Sequence, residues 1–284
     1  MNILTFDTEE WFHLLENDST RSEAQWVNFE KRIEGNVGRI IDILDSTDTK
    51  ATFFVIGWVA KRYPAIVKRI AERFEVGSHT MNHQPVWQQT PEEFRKDVEE
   101  SIKRLEDITG KKVIRFRAPG FSIRETEGWA YGILNELGIT TDCSVFPAVH
   151  AHGGMPSYPT NGPAVIEYGA VRMKEFPITF KTIAGKHIIF SGGGYFRLFP
   201  YRMIKEWSRE SSDYLMAYIH PRDMDANQPL IKDLGLFRRF KSYYGLAGAE
   251  RKLRKWLTDF RFIDLATAEQ QVDWDKVQKV RLPS

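Results

Sequence analysis

The chain has 284 residues, of which 42% are hydrophobic and 27% charged, so a core of ordinary globular composition can form. Its net charge of +2 gives no broad electrostatic case for binding nucleic acid. The single cysteine excludes an internal disulfide, and no apolar run approaches the roughly 18 residues of a membrane-spanning helix.

The N-terminus reaches Asp7 without the basic and apolar regions that are typical of a signal peptide. We therefore expect a cytoplasmic protein.

The first half of the chain alternates short apolar segments with helical patterns. Predicted strands are Asn2–Phe6, Ala51–Ile56, Glu75–Gly77, Val113–Arg117 and Ile139–Cys143. Predicted helices are Ile33–Leu44, Trp58–Phe74, Pro91–Thr109 and Thr126–Leu137. This rhythm predicts an α/β fold built from βα units around a largely parallel sheet.

The second half begins with a long Pro- and Gly-rich loop, Ser144–Pro163. Further strands are predicted at Val171–Phe176, His187–Phe190 and Tyr214–Ile219, and helices at Pro200–Arg209, Leu246–Leu257 and Thr267–Val277. No repeat or linker divides the chain. We expect a single domain over residues 1–284, with a basic and aromatic helical extension over about 234–284.

Side chains suited to acid–base or metal chemistry follow the predicted strands. They are Asp7, His79, His83, Arg117, Asp142 and His220. Because the carboxyl ends of the strands of a parallel barrel converge on one face, we expect these side chains to lie together there.

The histidines of His79-Thr-Met-Asn-His83 are four residues apart, a spacing that places both on one face of a helix or helical turn. A carboxylate from the segment Asp7-Thr-Glu9-Glu10 would complete a set of three metal ligands and leave a position open for water. The pattern predicts a hydrolytic metal site.

These motifs, in this order, resemble the NodB-type polysaccharide deacetylases, the carbohydrate esterases of family 4. The residues that carry the resemblance are Thr5-Phe-Asp7, His79-Thr-Met-Asn-His83, Arg117-Ala-Pro119 and Ile219-His220. Longer motifs are similar to a branch linked to exopolysaccharide and capsule biosynthesis: Asp7–Phe12, Phe116–Ser122, Asp142–Pro147, Gly192–Leu198 and His220-Pro221. The resemblance extends to about Leu265 and implies a distorted (β/α) barrel of about seven strands.

The resemblance also implies a bound Zn²⁺, or another divalent ion such as Co²⁺, Ni²⁺ or Mn²⁺, held by His79, His83 and one carboxylate. Many members carry two adjacent aspartates, the first a base and the second a ligand, but Thr8 occupies the second position here. Other members place the ligand two residues after the base, which is Glu9. Glu9 shares strand parity with Asp7, so we expect Glu9 to be the ligand and keep Glu10 as the alternative.

The resemblance implies further roles. Asp7 is the expected general base, Arg117 would keep it ionised and oriented, and His220 would protonate the departing amine. The family counterpart of His220 is tuned by an acidic neighbour. Asp142 is a candidate for that neighbour or for a partner of Arg117.

The implied activity is hydrolysis of N-acetyl groups on an amino sugar of a polysaccharide or its biosynthetic precursor, and O-deacetylation would use the same chemistry. Two alternatives are a metal-independent hydrolase of cyclic amides with this fold and a non-catalytic carbohydrate-binding homologue. We interpret the basic run Arg251–Lys255 as a solvated helix face, with a membrane surface as the minority interpretation.

Overall fold

The protein is described here by a computed structural model that covers residues 1–211 and 213–283. The strands are β1 (Asn2–Thr8), β2 (Thr52–Val55), β3 (Glu75–Ser78), β4 (Arg115–Phe116), β5 (Thr141–Asp142), β6 (Ala164–Tyr168), β7 (Val171–Glu175), β8 (Phe180–Ile183), β9 (Lys186–Ile189), β10 (Leu215–Ile219) and β11 (Gln278–Arg281). The α-helices are α1 (Glu23–Trp26), α2 (Ile33–Ser46), α3 (Gly57–Arg62), α4 (Pro64–Ala71), α5 (Pro91–Thr109), α6 (Trp129–Glu136), α7 (Gly193–Leu198), α8 (Tyr201–Glu210), α9 (Leu236–Tyr243), α10 (Leu246–Asp259) and α11 (Leu265–Gln271).

The main sheet has the strand order β10-β1-β2-β3-β4-β5-β7-β6-β11, and β8 and β9 form a separate hairpin. Every pairing in the main sheet is parallel except β6 with β7. The predicted α/β fold with a mostly parallel sheet is therefore confirmed.

The expectation of about seven strands in a barrel needs correction. The main sheet has nine strands among the described residues, and no pairing found there joins its two edges, β10 and β11, so the sheet does not close. After β5 the sheet continues with the antiparallel β6–β7 pair instead of further βα units. The strands at that end of the sheet are therefore no longer all parallel.

Alternation along the central strands separates two apolar clusters. Phe53 and Val55 of β2 join the larger cluster, which includes side chains of the surrounding helices, while Phe54 joins a smaller one on the opposite face. Ile3 of β1 belongs to that smaller cluster, and Asp7 has the same parity as Ile3. The sheet therefore directs Asp7 to the face opposite the larger cluster.

The boundaries of α5 follow the predicted signals. The Thr90 hydroxyl accepts a hydrogen bond from the Glu93 N–H, Pro91 is the first helical residue, and Gly110 ends the helix in the left-handed conformation with φ of 66°. The predicted helix Trp58–Phe74 is instead two helices, because the residue before Pro64 is disfavoured in the helical conformation. In the part of the chain that the structure covers, no helix is both long and apolar enough to cross a membrane.

Candidate active site

Asp7 and Arg117 form a buried ion pair where β1 and β4 end. Arg117 Nη1 lies 2.8 Å from Asp7 Oδ1 and donates a second hydrogen bond to the Thr5 hydroxyl at 2.7 Å. Arg117 Nε donates to the Cys143 carbonyl oxygen at 3.1 Å, and the guanidinium lies over the Phe54 ring. The guanidinium is fully buried and held on several sides, so it fixes one oxygen of the Asp7 carboxylate in place.

The two histidines lie in the loop that follows β3, and the predicted helical turn is absent. Thr80 and His83 have positive φ values of 65° and 54°, which a right-handed helix does not allow. The spacing of four residues brings the imidazoles together through a loop, with ring centroids 5.3 Å apart.

Hydrogen bonds from two helices fix this histidine loop. The N–H groups of Gly57 and Trp58, at the start of α3, donate to the carbonyl oxygens of Thr80 and Met81. On the other side, the Asp97 carboxylate of α5 accepts from the N–H groups of Met81 and Asn82 at 2.7 and 3.1 Å. Neither anchor was predicted from the sequence, because nothing in the local pattern of α5 distinguishes Asp97 from a surface acid.

Gly57 is required where α3 meets the loop. A Cβ atom at Gly57 would lie 2.4 Å from Met81 Sδ and 3.1 Å from Met81 Cα. The absence of a side chain therefore lets the helix start approach the histidine loop closely.

Glu9, His79 and His83 come together as a group of potential metal ligands. One ligand atom from each lies within 4.8 Å of the others, and all three residues are buried. β1 ends at Thr8, and Glu9 follows in a tight turn. The alternation of side chains along the strand, which was the reason to expect Glu9, therefore stops before that residue. Glu9 nevertheless faces the pair, with Oε2 at 2.6 Å from His83 Nε2.

The protonation states of Glu9 and His79 are suited to binding a metal cation. Burial alone would raise the pKa of Glu9, but His83, with smaller contributions from His220 and His79, lowers it to about 2. Burial lowers the pKa of His79 to about 4. Its Nδ1 hydrogen bonds to the Arg117 carbonyl oxygen at 2.7 Å, and because a carbonyl only accepts, Nδ1 carries the proton and leaves the Nε2 lone pair free.

Glu10, the alternative ligand, points elsewhere. Its Oε1 accepts hydrogen bonds from the backbone N–H groups of Arg32 and Ile33 at the start of α2, at 2.9 and 3.0 Å. Glu10 is therefore occupied with the first turn of a helix, where unpaired N–H groups attract a carboxylate.

His220 lies opposite the metal-ligand group, at the end of β10. Its Nε2 is 3.9 Å from Asp7 Oδ2 and 3.9 Å from Glu9 Oε1. Its Nδ1 lies 3.2 Å from Asp223 Oδ2, and the carboxylate also accepts from the His220 N–H. Burial lowers the pKa of His220, but Asp223, Glu9 and Asp7 outweigh it and raise it to about 9.

Asp223 is the acidic neighbour that sequence reasoning missed. It is buried and also forms an ion pair with Arg197, 2.8 Å from Nε to Oδ1, and the two cations lower its pKa against the opposing effect of burial. The signal was the spacing of three residues in His220-Pro-Arg-Asp223, which a 3₁₀ turn brings together.

The contacts assign Asp142 to a different place. Its carboxylate accepts from the N–H and hydroxyl of Ser144 at 3.0 and 2.6 Å, and its strand partner across the β5–β7 pair is Glu175. Among the described residues it forms no hydrogen bond or ion pair with Arg117 or His220. The prediction of Asp142 as the neighbour of His220 is corrected, because Asp223 has that place. Asp142 acts on Arg117 only through its charge, which helps to raise the pKa of Arg117, since β5 ends one strand further along the sheet.

Asp7, Glu9, His79, His83 and His220 line one cleft of about 540 Å³. Gly120, with φ of 59°, and the loop residues His150 and His152 lie on its wall. An aromatic and basic rim comes from α9 and the turn after it. A cleft of this size can hold a small carbohydrate segment beside the histidines.

Residues 17–141 match the family model described as polysaccharide deacetylase. The similarity to that family covers these 125 of the 284 residues. A second model, described as a domain of unknown function (DUF3473), matches residues 143–270. Asp7 and Glu9 precede both matched ranges, and His220 and Asp223 lie in the second.

Two similar proteins are named as deacetylases. The chain is 34% identical over 88 residues to a peptidoglycan-N-acetylglucosamine deacetylase of Bacillus cereus, a match that covers 31% of this chain and 41% of that protein. It is 33% identical over 113 residues to a chitooligosaccharide deacetylase of Sinorhizobium fredii, covering 39% of this chain and 48% of that protein. The chain thus spans less than half the length of these relatives.

The fold has a counterpart among solved structures. A Mycobacterium smegmatis protein classed as a polysaccharide deacetylase superposes with a TM-score of 0.65 over 100% of this chain and 94% of that one, at 17% identity. At this identity the similarity shows the deacetylase fold, and the roles of individual residues must be argued from the site itself.

Proposed function

We propose that this protein is a metal-dependent deacetylase that hydrolyses N-acetyl groups of an amino sugar in a polysaccharide or its biosynthetic precursor. The observation that carries the proposal is the grouping of Glu9, His79 and His83 beside the Asp7–Arg117 pair. The names of the similar proteins, which refer to peptidoglycan and chitooligosaccharide deacetylases, support an N-acetylated sugar as substrate.

The donor set fits a divalent ion. Two imidazoles and a carboxylate are typical ligands of catalytic zinc, and they also suit Co²⁺, Ni²⁺ or Mn²⁺. The free Nε2 lone pair of His79 and the ionised state of Glu9 agree with this role. When bound, such an ion would polarise the acetyl carbonyl and lower the pKa of a coordinated water.

Asp7 and His220 provide the proton transfers. Asp7 would take a proton from the attacking water, while Arg117, itself bonded to the Thr5 hydroxyl, holds one oxygen of Asp7 and leaves the other toward the cleft. Water oxygen bonds to the acetyl carbon, the carbon–nitrogen bond breaks, and His220 would give its proton to the leaving nitrogen. The products are acetate and a free amino sugar.

Two further groups assist this step, one by keeping His220 protonated and one by donating a hydrogen bond to the oxyanion. Asp223 holds His220 in its protonated form, so a proton is available at neutral pH. The backbone N–H near Gly120, on the cleft wall, is the expected donor to the negative oxygen of the tetrahedral intermediate.

The two alternative functions fit these contacts less well. A metal-independent cyclic amide hydrolase has no need for three buried ligands that converge on one point. A carbohydrate-binding homologue without activity was favoured only if no carboxylate reached the histidines, and Glu9 lies 2.6 Å from His83.

The proposal is tested by metal content and acetate release, measured on wild type, His79→Ala and His187→Ala. His187 lies on the β8–β9 hairpin and stacks on Phe180, away from the cleft lining, so its variant is a matched control. We expect near-stoichiometric divalent metal and acetate release from N-acetylglucosamine oligosaccharides in the wild type and the control, and loss of both in His79→Ala. A wild-type protein that binds no metal even after supplementation would overturn the metal-dependent mechanism.

A further inference from the structure

A row of large apolar side chains is exposed on one short helix. On α9, Leu236 is 87% exposed and Phe237 75% exposed, and about half of Phe240 is exposed one turn later. Tyr244, just after the helix, stacks near Phe240 with ring centroids 4.8 Å apart, and Leu198 of α7 is exposed nearby on the same cleft rim. We call these five residues the α9 patch.

Among the described residues, the helix that carries the patch has a single apolar contact with the core, through its last residue Tyr243, which packs against the larger cluster. None of the residues of α9 is buried. It is attached to the body at its polar side, where Arg238 donates hydrogen bonds to the carbonyl oxygens of Leu15 and Glu16 and Arg197 donates to those of Lys241 and Tyr244. The apolar side therefore remains outward while the backbone is held against the cleft.

The charged side chains of α9 itself are all basic. Between Leu234 and Ala249 the chain has three basic residues, Arg238, Arg239 and Lys241, and no acid. Arg239 and Lys241 are exposed, and Lys241 lies over the Phe237 ring. Two acids adjoin this surface: Glu16 hydrogen bonds to His152, and Asp233 accepts from the Ser19 hydroxyl.

A helix with an exposed apolar row and flanking basic side chains is suited to the interface of an anionic bilayer, where the apolar side chains enter the headgroup region and the cations meet lipid phosphates. Sugars are recognised mainly by polar groups and flat aromatic faces, and exposed leucines such as Leu236 and Leu198 offer neither. The chemistry of the patch therefore favours lipid over glycan.

We propose that the α9 patch docks this protein onto a bilayer that contains anionic phospholipid. Four members of the patch line the cleft rim, so docking would turn the cleft toward substrates held at that surface. This last consequence, a lipid-linked N-acetylated sugar as the substrate, rests on the proposed deacetylase function, whereas the docking itself does not.

The test is co-sedimentation of the full chain with phosphatidylcholine vesicles, with and without phosphatidylglycerol. The test variant combines Leu236→Glu with Arg239→Glu, since neither residue lines the cleft. The control combines Ile183→Glu with Lys186→Glu, which makes the same chemical change on the exposed β8–β9 hairpin. We expect the wild type and the control to bind vesicles with phosphatidylglycerol, more weakly as salt rises, and the test variant to bind about tenfold more weakly or worse.

Three outcomes would overturn the proposal: no binding of the wild type, equal loss in both variants, or binding that ignores phosphatidylglycerol and salt. If vesicles are not bound but the test variant loses affinity for a soluble N-acetylated oligosaccharide, the α9 patch is a glycan surface instead. Sedimentation requires no turnover, so a protein that binds vesicles but releases no acetate would contradict only the proposed function.

Discussion

Glu9 and Glu10 are adjacent in the chain and have separate partners, His83 for Glu9 and the first N–H groups of α2 for Glu10. We predict that Glu9→Ala removes bound metal with little change in the helix, whereas Glu10→Ala retains the metal and lowers the free energy of unfolding by about 1–2 kcal/mol, since a helix start loses its acceptor. Elemental analysis and denaturant unfolding of both variants measure the two effects. Metal loss in Glu10→Ala alone would reverse the ligand assignment.

His220 gives the activity a predicted alkaline limit. Its pKa is raised to about 9, so the protonated form that can act as an acid is present at neutral pH and is lost as the pH rises through about 9. Asp223→Asn removes the main partner of the imidazolium, so the alkaline limb of kcat/KM should move to lower pH. Asp225→Asn, which changes a neighbouring carboxylate paired with Arg32, should leave the limb in place. An unmoved limb in Asp223→Asn would exclude His220 as the titrating acid.

The sequence predicted most residues of the site but not the residues that hold them in position. Asp7, His79, His83, Arg117 and His220 lie together because strand ends are readable from apolar runs and parallel strands carry their ends to one edge. The partner of His220 could not be chosen that way. Asp142 ends β5 and Asp223 comes shortly after β10, and only the local 3₁₀ turn decides which carboxylate reaches the imidazole.

At the scale of single elements, one glycine lies within a helix and another ends a helix, so the same substitution by alanine should have opposite effects on stability. A Cβ atom added at Gly132, within α6, would meet no neighbouring atom within 4 Å, whereas Gly110 ends α5 with φ of 66°. We predict that Gly132→Ala stabilises the protein by about 0.5–1 kcal/mol by restricting the unfolded chain, and that Gly110→Ala destabilises it by about 1 kcal/mol because alanine is strained there. Thermal unfolding of both variants gives the signs, and equal signs would contradict the argument.

The helices and strands that could be predicted from the sequence are those with a regular apolar pattern or with recognisable helix-capping residues. Helix α5 combines Thr90, Pro91 and Gly110 at its two ends, and its predicted bounds are confirmed. Strands β6, β8 and β11 were missed. Three of the four residues of β11 are exposed, and its ladder depends on β6, a partner distant in the sequence. β8 is half exposed and has no regular alternation, although its partner β9 follows directly in a hairpin.

Within the whole molecule, Asp142 and Glu175 form a buried carboxyl pair across β5 and β7. Burial raises the pKa of both groups, and for Glu175 the nearby Asp142 raises it further. A raised pKa in the folded state means that the stabilisation is complete below the unfolded value and is lost as the pH rises through the folded one. Glu175→Gln should therefore increase Tm more at pH 9 than at pH 5, since the amide has no proton to lose. A Tm gain that is the same at both pH values would contradict the coupling.

The placement of β1 between β10 and β2 has a genetic consequence. The candidate site takes Asp7 and Glu9 from before the matched deacetylase segment, His79 and His83 from within it, and His220 from the segment matched as DUF3473. A recombination near residue 142 that replaced one of the two matched segments would combine part of this site with a segment from another protein. Such hybrids can be functional only when the incoming strand restores the β1–β10 register, so the two segments should be inherited as a unit.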